Sequence, residues 1–209
     1  MPVDTNLEKD GMIYQREQYA KGGIGAKYWN YRDAVALGYV KGKRVVDVGC
    51  GEGITLEKLV KLYPDKQIMG IDSEPENIDI CTKQGLPVQY GSVYNLPFDA
   101  ASIDCVLFFE VIEHLDEPIR ALLEIYRVLK PGGRLILIFP NDLMFMISRL
   151  LTGMLKEAFY NSGHVRQWTP FKIKKALHST GYKIVKHRSI PFQFWAISLH
   201  HIVAAEVLH

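Results

Sequence analysis

Residues Val45 to Gly53 read Val-Val-Asp-Val-Gly-Cys-Gly-Glu-Gly, and no other stretch limits the fold of this chain as much. It opens as a short, almost continuously apolar run, the pattern of a strand buried on both faces. It closes on Gly49, Gly51 and Gly53 in G-x-G-x-G spacing. Without a Cβ, backbone there can turn sharply and come close to a ligand. Ile54 to Leu62 follows as a helix, with Ile54, Leu56, Leu59, Val60 and Leu62 apolar. In an open α/β sheet a strand, Gly-rich turn and helix N-terminus put the turn at the strand's carboxyl end, where ligands bind. Dinucleotide sites use G-x-G-x-x-G, with a pyrophosphate on the helix N-terminus. Here the third glycine comes one residue early and an acid, Asp47, precedes the first. That variant suits a nucleoside ligand without a pyrophosphate, although packing of a tight strand-to-helix turn asks for the same glycines.

The rest of the chain repeats the strand–helix alternation. Gln67–Asp72 reads as a second strand ending in an acid, Val88–Tyr90 as a third and Ile103–Phe109 as a fourth. Arg134–Phe139 reads as a fifth, Tyr182–Ile190 as a sixth, and Ile202–Leu208 as a seventh that pairs antiparallel with the sixth. Such alternation implies a parallel sheet with right-handed crossovers. Ser73 and Glu76 form an S-x-x-E capping box with Pro75 in the first turn, opening a helix to about Gln84. Asp116 is the expected cap of a helix that runs to Leu129 and is stopped by Lys130-Pro131-Gly132-Gly133. An acid at the end of the second strand lies beside the Gly-rich turn, where its two oxygens can accept from both hydroxyls of a ribose. Because Ser73 supplies the helix cap, Asp72 is free for that role.

The expectation is therefore one domain over residues 1–209, an α/β fold of Rossmann-like type. Residues 1–40 form an aromatic helical lid, broken at Gly22-Gly23 and Gly25, and 41–140 the ligand-binding core. Residues 141–169 contribute a cap helix and loop, and 170–209 a helix and hairpin that complete the sheet. The cap helix, read as Asp142–Ala158, is rich in Met and Leu. Such side chains adapt to an apolar acceptor, and the stretch Ile190–Trp195 would add aromatic wall. Hydrophobic content of 48% and charged content of 23% are those of an ordinary globular chain, and a net charge of +2 does not call for nucleic acid. Cys50, Cys81 and Cys105 show no C-x-x-C spacing and read as buried small hydrophobes in a reducing compartment. No metal site is expected. The polar start carries no signal sequence and no run reaches the ~20 apolar residues of a membrane span, so the expectation is cytoplasmic, with at most peripheral membrane contact.

Taken in order, Val45–Gly53, Gly70–Asp72, Leu96-Pro97-Phe98, Asp104, Glu110–Leu115 and Arg127–Gly133 resemble the class I S-adenosylmethionine-dependent methyltransferases. Within that family the chain looks like the branch that includes the quinone-biosynthesis enzymes. The resemblance implies a seven-stranded, mostly parallel sheet with its last strand antiparallel, helices on both faces and a small helical cap. It implies S-adenosylmethionine as cofactor, with Gly49, Cys50 and Gly51 on its methionine part and Asp47 orienting that loop. Asp72 would take the ribose, Ser73 and the backbone around Ser92 and Val93 would flank the adenine, and Glu110 and Val111 would lie near the donor sulfur. Ser92 stands where the family usually has Asp, and a hydroxyl accepts the adenine amino group less strongly than a carboxylate.

Methyl transfer asks the protein mainly to align a nucleophile and exclude water, with a general base where the acceptor starts protonated. Base candidates are His164, in the loop from Ser162 to Trp168, together with Glu110, Glu113 and His114. The expected acceptor is a small or lipid-like molecule, taken by a monomer or homodimer. RNA or protein acceptors, a non-catalytic cofactor-binding partner subunit, and an NAD-dependent oxidoreductase are the alternatives. The last has Tyr126 and Lys130 in Y-x-x-x-K spacing, but the early third glycine argues against its pyrophosphate.

Overall fold

The computed structural model describes residues 15–151 and 165–208. Two helices, α1 (Gln15–Ala20) and α2 (Gly23–Leu37), precede strand β1 (Arg44–Val48) and helix α3 (Ile54–Leu62). Next come β2 (Gln67–Asp72), α4 (Pro75–Lys83), β3 (Val88–Tyr90) and β4 (Ile103–Phe109). A 3-10 turn over Ile112–His114 leads to α5 (Pro118–Val128), β5 (Leu129–Pro140) and α6 (Asp142–Leu151). The chain ends in α7 (Pro170–Ser179), β6 (Tyr182–Ile190) and β7 (His200–Val207).

The strands make one seven-stranded sheet in the order β3-β2-β1-β4-β5-β7-β6. β1 to β5 pair in parallel, and only β7 runs against its neighbours β5 and β6. Apolar side chains alternate across this sheet into two layers. Val46, Val48, Val106 and Phe108 pack with Leu122 and Ile125 of α5 and Ile173 and Leu177 of α7. Val45, Leu107, Cys105 and Ile136 pack with Ala36 and Leu37 of α2 and Leu56 and Leu59 of α3. β1 and β4 sit side by side at the centre, and the order reverses between them. A parallel sheet binds ligands outside the carboxyl ends at such a reversal, which puts the Gly-rich turn and the end of β4 on one rim.

Several boundaries differ from the sequence reading. Gly25 does not break the N-terminal helix but lies inside α2. β5 starts at Leu129, which pairs with Ile103 before the 130–133 stretch departs from register and Arg134 resumes opposite Cys105. α5 begins behind Glu117, not behind an Asp116 cap. α4 begins behind Glu74 with no side-chain cap, so the Ser73–Glu76 capping box does not form. The start of α4 is tied instead to Asp72, whose Oδ1 accepts from the Glu74 N–H at 2.9 Å and from Asn77 Nδ2 at 3.1 Å. All three cysteines are buried and unpaired by disulfides. No helix among the described residues is long and apolar enough to cross a membrane, and no cluster of metal-ligating side chains occurs among them.

Candidate active site

The Gly-rich turn is latched to the end of β2. The N–H groups of Gly49 and Cys50 both donate to Ile71 O, at 2.7 and 3.1 Å. Asp72 closes the arrangement, its Oδ2 accepting from the Gly51 N–H at 2.8 Å. The three glycines have different reasons to be glycine. A Cβ on Gly49 would overlap Val111, and one on Gly53 would sit 2.6 Å from Leu86 Cδ1 and 2.7 Å from Cys81 Sγ. These two serve packing. Gly51 has φ of 53° and nothing within 4 Å of its Cβ position, so it leaves open space beside the cleft.

That cleft has a volume of about 170 Å3 and is lined by Asp47, Gly49, Cys50, Gly51 and Glu110, all picked out by sequence, and by Trp29, Arg32 and Asp33 of α2. Asp47 is fully buried and its Oδ2 has no hydrogen-bond partner. Burial, with the nearby charges of Asp33 and Asp72, pushes its carboxyl up to about 7. An orphaned acid beneath an open glycine fits a ligand that brings a hydrogen-bond donor, since a buried polar group left unpaired is costly.

Glu110 leaves β4 with φ of 54°, a left-handed conformation uncommon outside glycine and characteristic of functional sites. Its Oε2 is 2.7 Å from Arg32 Nη1, and its Oε1 bonds His200 Nε2. Burial works against its charge, but Arg32 and His200 outweigh burial and hold the carboxyl well below the usual carboxylate range. Burial also pushes the His200 imidazole down, against the pull of Glu110. Burial thus favours the neutral ring, in which Nε2 carries the proton because an ionised carboxylate only accepts. Nδ1 then accepts from the Tyr28 hydroxyl at 2.8 Å.

α2 is tied in from the other side as well. Asp33 is 1% exposed and takes Lys58 Nζ at 2.7 Å, while Glu52 of the Gly-rich turn accepts the N–H groups of Gln15 and Arg16 at 2.8 and 2.9 Å. The aromatic N-terminal segment thus closes one side of the cleft. Sequence reasoning missed Arg32, Asp33, Lys58 and His200. Their signals were slight: an Arg-Asp pair inside an aromatic helix, and a His-His pair opening an apolar strand.

Other expected residues fall elsewhere. Val111 packs on Gly49 and does not line the cleft. Ser73 is exposed. Ser92 Oγ accepts from the Tyr94 N–H at 3.2 Å, and Val93 packs against the core layer under α5. His114 is exposed at the end of the 3-10 turn, away from the cleft lining. Glu113 is 1% exposed with both carboxyl oxygens unpartnered. Burial and the charge of Glu110 raise its carboxyl well above the ordinary range, which favours the protonated acid beside the ionised Glu110. His164 lies outside the described residues, as does the cap helix beyond Leu151.

The topology, the latched glycine turn and the acid at the end of β2 define a Rossmann-like nucleoside-binding protein. Comparison with known proteins narrows this further. A model of the methyltransferase domain matches residues 46–137. An O-methyltransferase from Aspergillus nomiae is 30% identical over 163 residues, which cover 74% of this chain and 70% of that protein. A ubiquinone biosynthesis O-methyltransferase from Dinoroseobacter shibae is 27% identical over 197 residues, covering 88% of this chain and 78% of that one. A solved S-adenosylmethionine-dependent methyltransferase from Thermotoga maritima shares the fold with a TM-score of 0.69 at 20% identity, over 91% of this chain and 95% of that one. The chain belongs to the class I S-adenosylmethionine-dependent methyltransferases. It spans 32% to 64% of the length of four other curated relatives it matches.

Proposed function

We propose that this protein transfers a methyl group from S-adenosylmethionine to a small or lipid-like acceptor. The observation that carries the reading is the cradle made by Asp47, Gly49, Gly51 and Asp72 beside the fixed anion Glu110. When bound, the cofactor supplies a methyl group already activated on a positively charged sulfonium. The chain's own residues then have three tasks. Asp72 holds the ribose: its Oδ1 already accepts two donors and its Oδ2 one, so of about four lone-pair sites on a carboxylate one stays free on Oδ2. One direct ribose contact is therefore expected, not the two read from sequence. The cleft of about 170 Å3 is below the roughly 300–1,000 Å3 of a site enclosing a whole ligand. It suits the methionine part, with the adenine along the rim by Ser92 and Val93.

Glu110, held ionised, is a poor proton acceptor. It works as a fixed acceptor of hydrogen bonds and as a negative charge facing a cationic ligand. His164 stays the proposed base for an acceptor that starts protonated. An apolar acceptor is supported by the Met- and Leu-rich start of α6 and by relatives named for ubiquinone biosynthesis and for phthiotriol dimycocerosates.

Calorimetry tests the cofactor and a labelled-methyl screen tests the acceptor. S-Adenosylmethionine should bind and raise the melting temperature, whereas NAD should do neither. Phenols, quinone precursors and lipids should be labelled ahead of RNA. A response to NAD without one to S-adenosylmethionine would sink the reading. Full single-turnover labelling by His164→Ala would remove that residue from the mechanism.

A further inference from the structure

The aromatic stretch expected to wall an acceptor pocket points outward instead. Between β6 and β7, Phe192, Phe194, Trp195 and Ile197 are 50–63% exposed, and Leu143 in the first turn of α6 is 56% exposed. The two segments are joined, because Asn141 Nδ2 donates to Trp195 O at 3.3 Å. The loop is also anchored from beneath. Ser198 is wholly buried and its hydroxyl donates to Phe194 O at 3.0 Å, while the Leu199 N–H donates to Ile190 O at 2.9 Å. Large apolar side chains are thus held in water by an ordered loop, and clustered exposure of this kind marks an interaction surface.

Charge identifies the partner. Residues 165–208 hold seven lysines and arginines and one acid, Glu206, although the whole chain has a net charge of only +2. Glu206 is itself paired with Lys41 and Arg134. Lys172, Lys174 and Lys175 on α7 and Lys186 and Arg188 on β6 are exposed, and β6 leads directly into the loop; Lys183, opposite Glu206, lies at the far end of the strand. β6 is the sheet edge, bulged between Ile184 and Lys186. A bulge and lysines block strand addition, which disfavours edge pairing with a second copy. Exposed aromatic and aliphatic side chains at the end of an edge strand that carries long cations instead match an anionic bilayer: rings sit at headgroup level and lysine stems reach along the interface. The loop lies at the carboxyl end of the sheet, and His200, two residues after Ser198, touches Glu110.

We propose that the loop carrying Phe192, Phe194, Trp195 and Ile197, with Leu143 and the cations of β6 and α7, docks this protein onto an anionic lipid surface, the cleft end of the sheet turned toward it. Each cation near such a surface strengthens partitioning roughly fivefold, and high salt removes that gain.

The test is co-sedimentation of the full chain, without cofactor, with vesicles of phosphatidylcholine alone or with about 30% phosphatidylglycerol. This readout is separate from cofactor binding. Binding should need the anionic lipid and weaken in high salt. F192S/F194S/W195S should reduce partitioning at least tenfold and K174E/K186E at least about 25-fold, both with an unchanged melting midpoint. Brominated lipid should quench tryptophan emission, and the milder W195F should lose much of that quenching, which keeps the test open if the triple variant misfolds. No binding to anionic vesicles would overturn the proposal, as would binding that the triple loop variant leaves unaltered or quenching that W195F leaves intact. So would a loop variant that changes only the oligomeric state. Tighter binding of mixed-sequence RNA, lost in K174E/K186E but not in the loop variant, would assign the surface to nucleic acid and overturn it too.

Discussion

Asp72→Asn separates the structural duty of this acid from its duty to the cofactor. Asp72 is 7% exposed and accepts from Gly51 N–H, Glu74 N–H and Asn77 Nδ2 at 2.8, 2.9 and 3.1 Å. Asparagine at that place keeps the α4 side by turning its oxygen there. Its amide nitrogen then faces the Gly51 N–H, donor against donor. One charge-assisted bond is lost and one backbone N–H is left unpaired, a cost of about 1–3 kcal/mol. In a chain of 209 residues, 2 kcal/mol corresponds to a fall in melting temperature of about 4–8 °C. Differential scanning fluorimetry without ligand measures it, and urea unfolding with an unchanged slope shows that it is a stability effect. Ser73→Ala is the control: as an exposed residue without a capping bond it should stay within about 0.5 kcal/mol of wild type. Calorimetry on Asp72→Asn should show S-adenosylmethionine bound at least tenfold more weakly. If Asp72→Asn melts with wild type while Ser73→Ala melts lower, the cap belongs to Ser73 and the reasoning fails. If affinity is unchanged, the ribose role fails.

The other predictions are simpler. Gly49→Ala should destabilise by about 2–4 kcal/mol, because it strains φ of 73° and overlaps Val111; Gly51→Ala should cost about 1–2 kcal/mol yet weaken cofactor binding more, and equal stability losses in denaturant melts would contradict this. Asp104 resists burial through the N–H groups of Arg44 and Lys43 and the Lys130 ammonium, which lower its carboxyl to about 2. That stability is present above the unfolded value near 4 and lost as pH falls through about 2, so Asp104→Asn should cost about 1–2 kcal/mol at pH 7 and no more than about 0.4 kcal/mol at pH 2, read by melting against pH. Asp47, raised to about 7 by burial, has the opposite sign: stability falls as pH rises from about 4 to 7, so Asp47→Asn should stabilise the ligand-free protein at pH 8, by at most about 4 kcal/mol, and not at pH 4. A variant no more stable at pH 8 than wild type would refute it.

Sequence placed β2, β3, β4 and β6 with the bounds the structure has. β2 and β4 lie within the sheet, and their apolar runs end where the backbone must leave it; β3 and β6 are the edges, marked by the turn residues that flank them. The Gly-rich turn was legible for a related reason, since left-handed φ admits few residues other than glycine. Where the reading slipped, a long-range contact overrode a local pattern. Ser73 satisfies a capping box on paper, but the helix starts one residue later, behind Glu74, whose N–H is held by Asp72 together with that of Gly51. Leu129 reads as the end of a helix, yet its pairing with Ile103 draws it into β5. The aromatics of 192–195 read as wall, and Ser198 pins them facing out.

What the sequence determined by itself is the alternating α/β order, the glycine turn at the end of β1 and the acid at the end of β2, because periodicity and backbone conformation are properties of neighbouring residues. Tertiary structure alone decided the charge state of the site. Glu110 is ionised because Arg32, 78 residues before it, and His200, 90 residues after it, converge on its two oxygens. Glu113, three residues along the same turn, has neither carboxyl oxygen partnered in a buried place, and its carboxyl is pushed the other way, well above the ordinary range. Coulomb energy depends on separation and burial in space, and the chain order of Arg32, Glu110 and His200 carries neither.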